Sequence, residues 1–167
     1  MSQYFAKYRG QVKNNIDPMQ LGRVQVKVPA VLGDGTLSWA MPCTPYAGSQ
    51  VGFFALPPVG GNVWVEFEGG DPNKPIWSGC FWGVGEFPIV PPVPPGMGSV
   101  FLKTKTCTVT VTDLPAVGGI TLEMTGGVKI SMKAVGTIEI ANGQQAVISM
   151  GPGPKIAVNN GALEVLF

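Results

Sequence analysis

The chain has 167 residues, enough for one domain of ordinary size with an appendage and for a real core. Only 13% of the residues are charged and the formal net charge is +1, with the eleven basic residues scattered. That excludes the clustered Lys and Arg that a nucleic acid or an acidic membrane would call for, and low charge on a 45% apolar chain predicts surface buried against other subunits.

Cys43, Cys80 and Cys107 form an odd set with no CxxC pair, and there is no His. These read as free thiols in a reducing compartment. Three scattered thiols without His lack the spacing of a zinc site, so no metal and no cofactor are expected. The stretch MSQYFAKYRGQVKNN has no apolar h-region and no run of 18 apolar residues occurs, so neither a signal peptide nor a membrane span is expected and assembly is placed in the cytosol.

In chain order, Tyr4 to Val12 reads as a short lead into a first strand ending at the Asn14 to Pro18 turn, with Tyr4 and Tyr8 as a packing patch. A second strand runs from Gly22 to Val28, with Val24, Val26 and Val28 on one face and Arg23, Gln25 and Lys27 on the other. Pro29 ends it, because proline cannot donate to a ladder. After a Gly-Asp-Gly loop, Leu37 to Met41 forms a third strand, and the Pro- and Gly-rich segment Cys43 to Phe53 reads as a crossing loop.

The strongest strand is Asn62 to Glu68, where Val63, Val65 and Phe67 oppose Trp64, Glu66 and Glu68. Glu66 and Glu68 share a face, yet no His, Lys or further carboxylate is seen to partner them, so they read as a solvated or interface face and not as an acid-base pair. Gly69 to Pro75 lacks the spaced acids of a calcium loop and the Gly-Lys-Ser/Thr ending of a phosphate loop, and reads as a tight turn before the strand Ile76 to Trp82. Five or so short strands with this spacing fit a small barrel.

From 87 to 99 the Pro- and Gly-rich run predicts an extended linker between a domain at 1–86 and a second at 100–167. Beyond it, short alternating segments recur every eight to ten residues between Gly- and Asn-rich turns, a degenerate strand-and-turn repeat. Each segment is too narrow to bury its own apolar face. Ile120, Leu122, Met124, Val128, Ile130, Met132, Ile138, Ile140, Ile148, Met150, Ile156 and Val158 therefore need a partner surface, which three copies around one axis would supply.

The ordered set Asp17, Pro18, Gly22, Arg23, Val24, Trp39, Pro42, Gly48, Gly52, Pro57, Gly60, Val63, Phe67, Glu68, Gly70, Asp71, Pro75 and Gly79 resembles the OB-fold domain of contractile-injection spike proteins. That family includes phage baseplate assembly protein V and the C-terminal spike portion of type VI valine-glycine repeat proteins. The resemblance implies an all-β chain: an N-terminal OB-fold barrel followed by a triple-stranded intertwined β-helix in a homotrimer. It implies a structural role with no catalytic residues, as a membrane-piercing needle in a phage tail baseplate or an extracellular injection particle. The implied partners are a separate hub protein, the target cell envelope in passing, and a proline-alanine-alanine-arginine repeat tip protein docked at Leu163, Val165 and Leu166. The competing expectation is an OB-fold module that binds single-stranded nucleic acid, which would need a basic groove with exposed aromatics.

Overall fold

Valines spaced two apart close the first unit, Met1–Phe87, into a barrel. The computed structural model describes residues 2–35, 37–88, 98–115 and 118–166, without the side chains of 161 and 164–166. Most of the linker expected at 87–99 lies at 89–97, outside the described residues.

The strands of this unit are β1 (Tyr8–Asn14), β2 (Val24–Lys27), β3 (Leu37–Pro42), β4 (Ala47–Gly48), β5 (Val51–Gly52), β6 (Asn62–Phe67) and β7 (Pro75–Phe81). The barrel order is β1-β2-β3-β7-β6, and β4 and β5 form a separate ribbon within the segment read as a crossing loop. All barrel pairings are antiparallel except β3 with β7, where Met41 lies opposite Ile76 and Pro42 opposite Trp77. Period-2 alternation sends Val12, Val24, Val26, Val63 and Val65 inward, where they are fully buried with Val28 and Ala40 and close on Phe67 and Trp77. Gly10 interrupts β1 because a Cβ there would meet Val65 Cγ2 at 2.9 Å. After Pro29 the chain adds a single helical turn, Pro29–Leu32, which the sequence pattern did not announce. Glu66 also differs from expectation: Lys7 Nζ lies 2.7 Å from its carboxylate and holds it below the usual range, so it has the cationic partner that reading the strand alone left out.

The β1–β2 loop is tied by one side chain. Asp17 accepts from the backbone N–H of Met19 (3.0 Å), Leu21 (2.8 Å) and Arg23 (3.2 Å), and from the Arg23 guanidinium at 2.7 and 3.1 Å. Arg23 in turn lies 5.2 Å from the Trp39 ring, and Trp77 Nε1 donates to the Gly22 carbonyl at 3.2 Å. The Arg23 bond, helped by the backbone N–H groups, holds the Asp17 carboxyl far below its ordinary value. A depressed carboxylate stabilises the fold at pH above the unfolded value of about 4, and the contribution is lost as pH falls below it. The barrel is therefore expected to lose thermal stability progressively as pH falls below about 4 and on towards the depressed Asp17 value. Asp17→Asn should melt lower at neutral pH and show a flatter acid limb when tryptophan fluorescence is followed against temperature.

The loop from Glu68 to Pro75 is a tight turn. Asp71 Oδ1 accepts from Asn73 N at 2.9 Å and Nδ2 at 3.1 Å, Glu68 N donates to Lys74 O at 3.0 Å, and Tyr4 N donates to Gly70 O at 3.0 Å. These bonds bring the start of the chain onto the turn.

The second unit, Pro88–Phe167, is an eight-stranded antiparallel sheet. Its strands are β8 (Ser99–Lys103), β9 (Cys107–Thr112), β10 (Gly119–Met124), β11 (Val128–Lys133), β12 (Thr137–Asn142), β13 (Val147–Met150), β14 (Lys155–Val158) and β15 (Leu163–Leu166). Spatial order follows sequence order, so every strand pairs with its neighbours in the chain. Short turns rich in Gly and Asn permit this, because several of their residues adopt positive φ.

Candidate functional site

Register in the C-terminal sheet decides which side chains share a face. Ile120 lies opposite Met132, Met132 opposite Ile138, Ile138 opposite Met150, and Met150 opposite Ile156. One step along, Leu122 lies opposite Ile130, Ile130 opposite Ile140, Ile140 opposite Ile148, and Ile148 opposite Val158. Met124 and Val128 hold the same parity at the β10–β11 end. The structure thus brings the twelve apolar positions of the repeat onto one face, ten of them in two cross-strand ladders.

The ladders run further than the repeat pattern suggested. Val111 pairs with Ile120 and Val100 with Val111, while Val109 pairs with Leu122 and Leu102 with Val109. The alternation at 100/102 and 109/111 is the signal that could have found these four. At the other end, Leu163 lies opposite Val158 and Val165 opposite Ile156, whereas Leu166 lies opposite Lys155 in the other register position. The three residues expected to receive a tip protein therefore do not share one parity. They do lie on an edge strand, β15.

The opposite face carries Thr110, Thr121, Ser131, Glu139, Ser149 and Ala157 in one row. Lys129 Nζ lies 2.6 Å from Glu139, which this contact holds below the usual carboxylate range. Ser131 is only 2% exposed and its hydroxyl has no hydrogen-bond partner. On the apolar face the order is reversed: the ten residues from Ile120 to Met150 in the two ladders and at their end stay 36–48% exposed. Covering that remaining surface is worth about 1 kcal/mol for each side chain, or roughly 10 kcal/mol per copy before association entropy. A face of this kind on a single copy marks an interaction surface.

The barrel motif divides by role in space. Val24, Val63, Phe67 and Pro75 are core residues, and Asp17, Gly22, Arg23 and Trp39 build the β1–β2 tie. Pro18 lies within that tied loop, and Pro42 ends β3. Gly48 and Gly52 belong to the ribbon, the carbonyl of Pro57 accepts from Asn15 Nδ2 at 3.1 Å, and Gly60 N donates to Val12 O at 2.9 Å. Glu68, Gly70 and Asp71 form the tight turn, and Gly79 in β7 has a φ of +143°. The three cysteines are free, with Cys43 and Cys80 exposed. Among the described residues no three or more His, Cys, Asp or Glu side chains come together as a metal site.

Comparison with known proteins covers both units. Residues 8–82 match a family model described as the type VI secretion system/phage-baseplate injector OB domain, and residues 99–164 one described as the phage baseplate V C-terminal trimerisation domain. Over 62 residues the chain is 39% identical to actin cross-linking toxin VgrG1 of Vibrio cholerae serotype O1 (strain ATCC 39541 / Classical Ogawa 395 / O395). That stretch is 35% of this chain and 6% of the toxin, so the similarity reaches only a small part of that relative.

Proposed function

The chain belongs to the phage baseplate V family of injector proteins, and from that premise we propose that three copies form the central spike of a contractile injection machine. The observation that carries this reading is the open apolar face of the C-terminal sheet, in a segment that matches a trimerisation domain. Three such faces turned toward one axis would bury the two ladders of each copy and turn the Thr, Ser, Lys and Glu row outward. Wrapping of the three sheets into a triple-stranded β-helix would make the shaft stiff, because main-chain hydrogen bonding continues along its length.

The work of such a spike is mechanical. Contraction of a sheath drives the tube forward, and a narrow trimeric point concentrates the force on the target envelope. In this reading the OB barrel joins the shaft to a hub made by another polypeptide, and the end at β15 receives a tip protein at Leu163, Val165 and Leu166. The assembled particle is a phage tail baseplate or an extracellular injection system.

Light scattering on the purified chain tests the proposal, repeated after mild heating and in detergent. The expected mass is about three times 17.5 kDa, resistant to both treatments. A stable monomer would leave the two ladders in water with no function and overturn the spike reading.

A further inference from the structure

The barrel unit carries an apolar surface that neither its core nor its motif accounts for. Between β3 and β6 the chain leaves the barrel as an arm, residues 43–56, held by the β4–β5 ribbon and by bonds from Phe53 N to Tyr46 O (2.9 Å) and Thr44 Oγ1 to Phe53 O (3.0 Å). A fixed arm of this kind would ordinarily fold its large side chains onto the barrel. Instead Tyr46, Val51, Phe53 and Phe54 are 52–76% exposed. Beside them a cleft of about 700 Å³ opens between the arm and the Trp77–Cys80 part of β7.

Charge narrows the occupant. None of the twenty residues lining the cleft is charged, and from Gly35 to Val65 the sequence contains no Lys, Arg, Asp or Glu. Arg9, Lys13 and Lys27 lie on β1 and β2, and Lys7, whose Nζ donates to Ser78 Oγ at the cleft edge (3.0 Å), is already paired with Glu66. An uncharged surface offers a foreign protein no charge pattern by which to be selected or steered. A rotationally symmetric contact favours such a surface, because any charge near the axis meets its own copies. Aromatic residues without charge are also the composition of an interface core. Copies held together by their trimerisation domains face one another at an effective concentration on the order of millimolar, so a modest contact suffices.

We infer that the arm 43–56 is a second self-association surface, with Phe53 and Phe54 of one copy seated in the cleft between arm and β7 of the next. The inference rests on the trimer proposed above and extends it to the barrels. It gives the barrel ring its own threefold lock, independent of the shaft ladders.

Cys43 lies in the cleft wall and is exposed, which supplies a reporter. In the full chain, Cys80→Ser with Cys107→Ser leaves one thiol per copy, so any product of a short flexible bismaleimide joins two copies. The expected result is a covalent dimer at submicromolar protein. Adding Phe53→Glu and Phe54→Glu should cut its yield at least tenfold while the light-scattering mass stays trimeric, and Val51→Glu should do the same from the ribbon. Val59→Glu, outside the cleft, should leave the yield unchanged. A trimer that gives no cross-linked dimer, or whose cross-linking ignores all three arm substitutions, overturns the inference and leaves the spike reading standing. A monomeric mass for the parent chain overturns both.

Discussion

Leu122→Asp is expected to convert the trimer into monomers, whereas Thr121→Asp, one residue earlier, is expected to leave its mass unchanged. Leu122 lies in a ladder between Val109 and Ile130, and Thr121 lies on the opposite face between Thr110 and Ser131. In the proposed trimer the Leu122 position would be dry and would face its two symmetry mates. A carboxylate there loses its hydration with no partner and meets two like charges, at a cost of several kcal/mol per copy. Covering the ladders gains only roughly 10 kcal/mol per copy before association entropy is subtracted, so one buried charge removes most of the surplus. Light scattering separates the two variants. Equal masses would mean that the apolar face is not the trimer contact.

Gly143→Ala should destabilise the C-terminal sheet far more than Gly136→Ala. The two glycines have nearly the same backbone, φ +75° and +80°, so the strain of a left-handed alanine is common to both at about 1 kcal/mol. Their surroundings differ. A Cβ at Gly143 would meet the Gly126 carbonyl oxygen at 2.2 Å, while nothing lies within 4 Å of one at Gly136. Relief requires the β10–β11 and β12–β13 turns to separate, which strains the ladder between β11 and β12. The expected additional cost is on the order of 2–3 kcal/mol, read as a shift of the far-UV melting transition. Equal shifts in the two variants would mean that the turns are free to move apart.

The repeat was legible because its strands alternate strictly and are punctuated by glycine. The apolar positions Ile120, Leu122 and Met124 fall in β10, Val128, Ile130 and Met132 in β11, and Ile156 and Val158 in β14. Parity then settles the face, since a strand offers only two. Valine alternation made the barrel core readable in the same way. The arm was not readable, because Pro42, Pro45, Gly48 and Gly52 break any period, and composition alone does not say whether Phe53 and Phe54 turn inward. The Asp17 tie escaped for another reason. Five hydrogen bonds to one carboxylate depend on the closed shape of a loop, and spacing in sequence carries no such information. Lys7 and Glu66 meet only because β1 pairs with β6, a contact across most of the barrel's length of chain.

The meander of the C-terminal unit also sets a length. Eight strands in sequence order give seven interstrand spacings of about 4.8 Å, a stack roughly 34 Å tall. The hydrocarbon layer of one bilayer is about 30 Å thick. In the proposed spike, this sheet driven end-on would span about the thickness of one such layer. The same stacking makes its resistance directional: a push from behind presses successive strands together, whereas a pull on β15 would peel the ladder away one strand at a time.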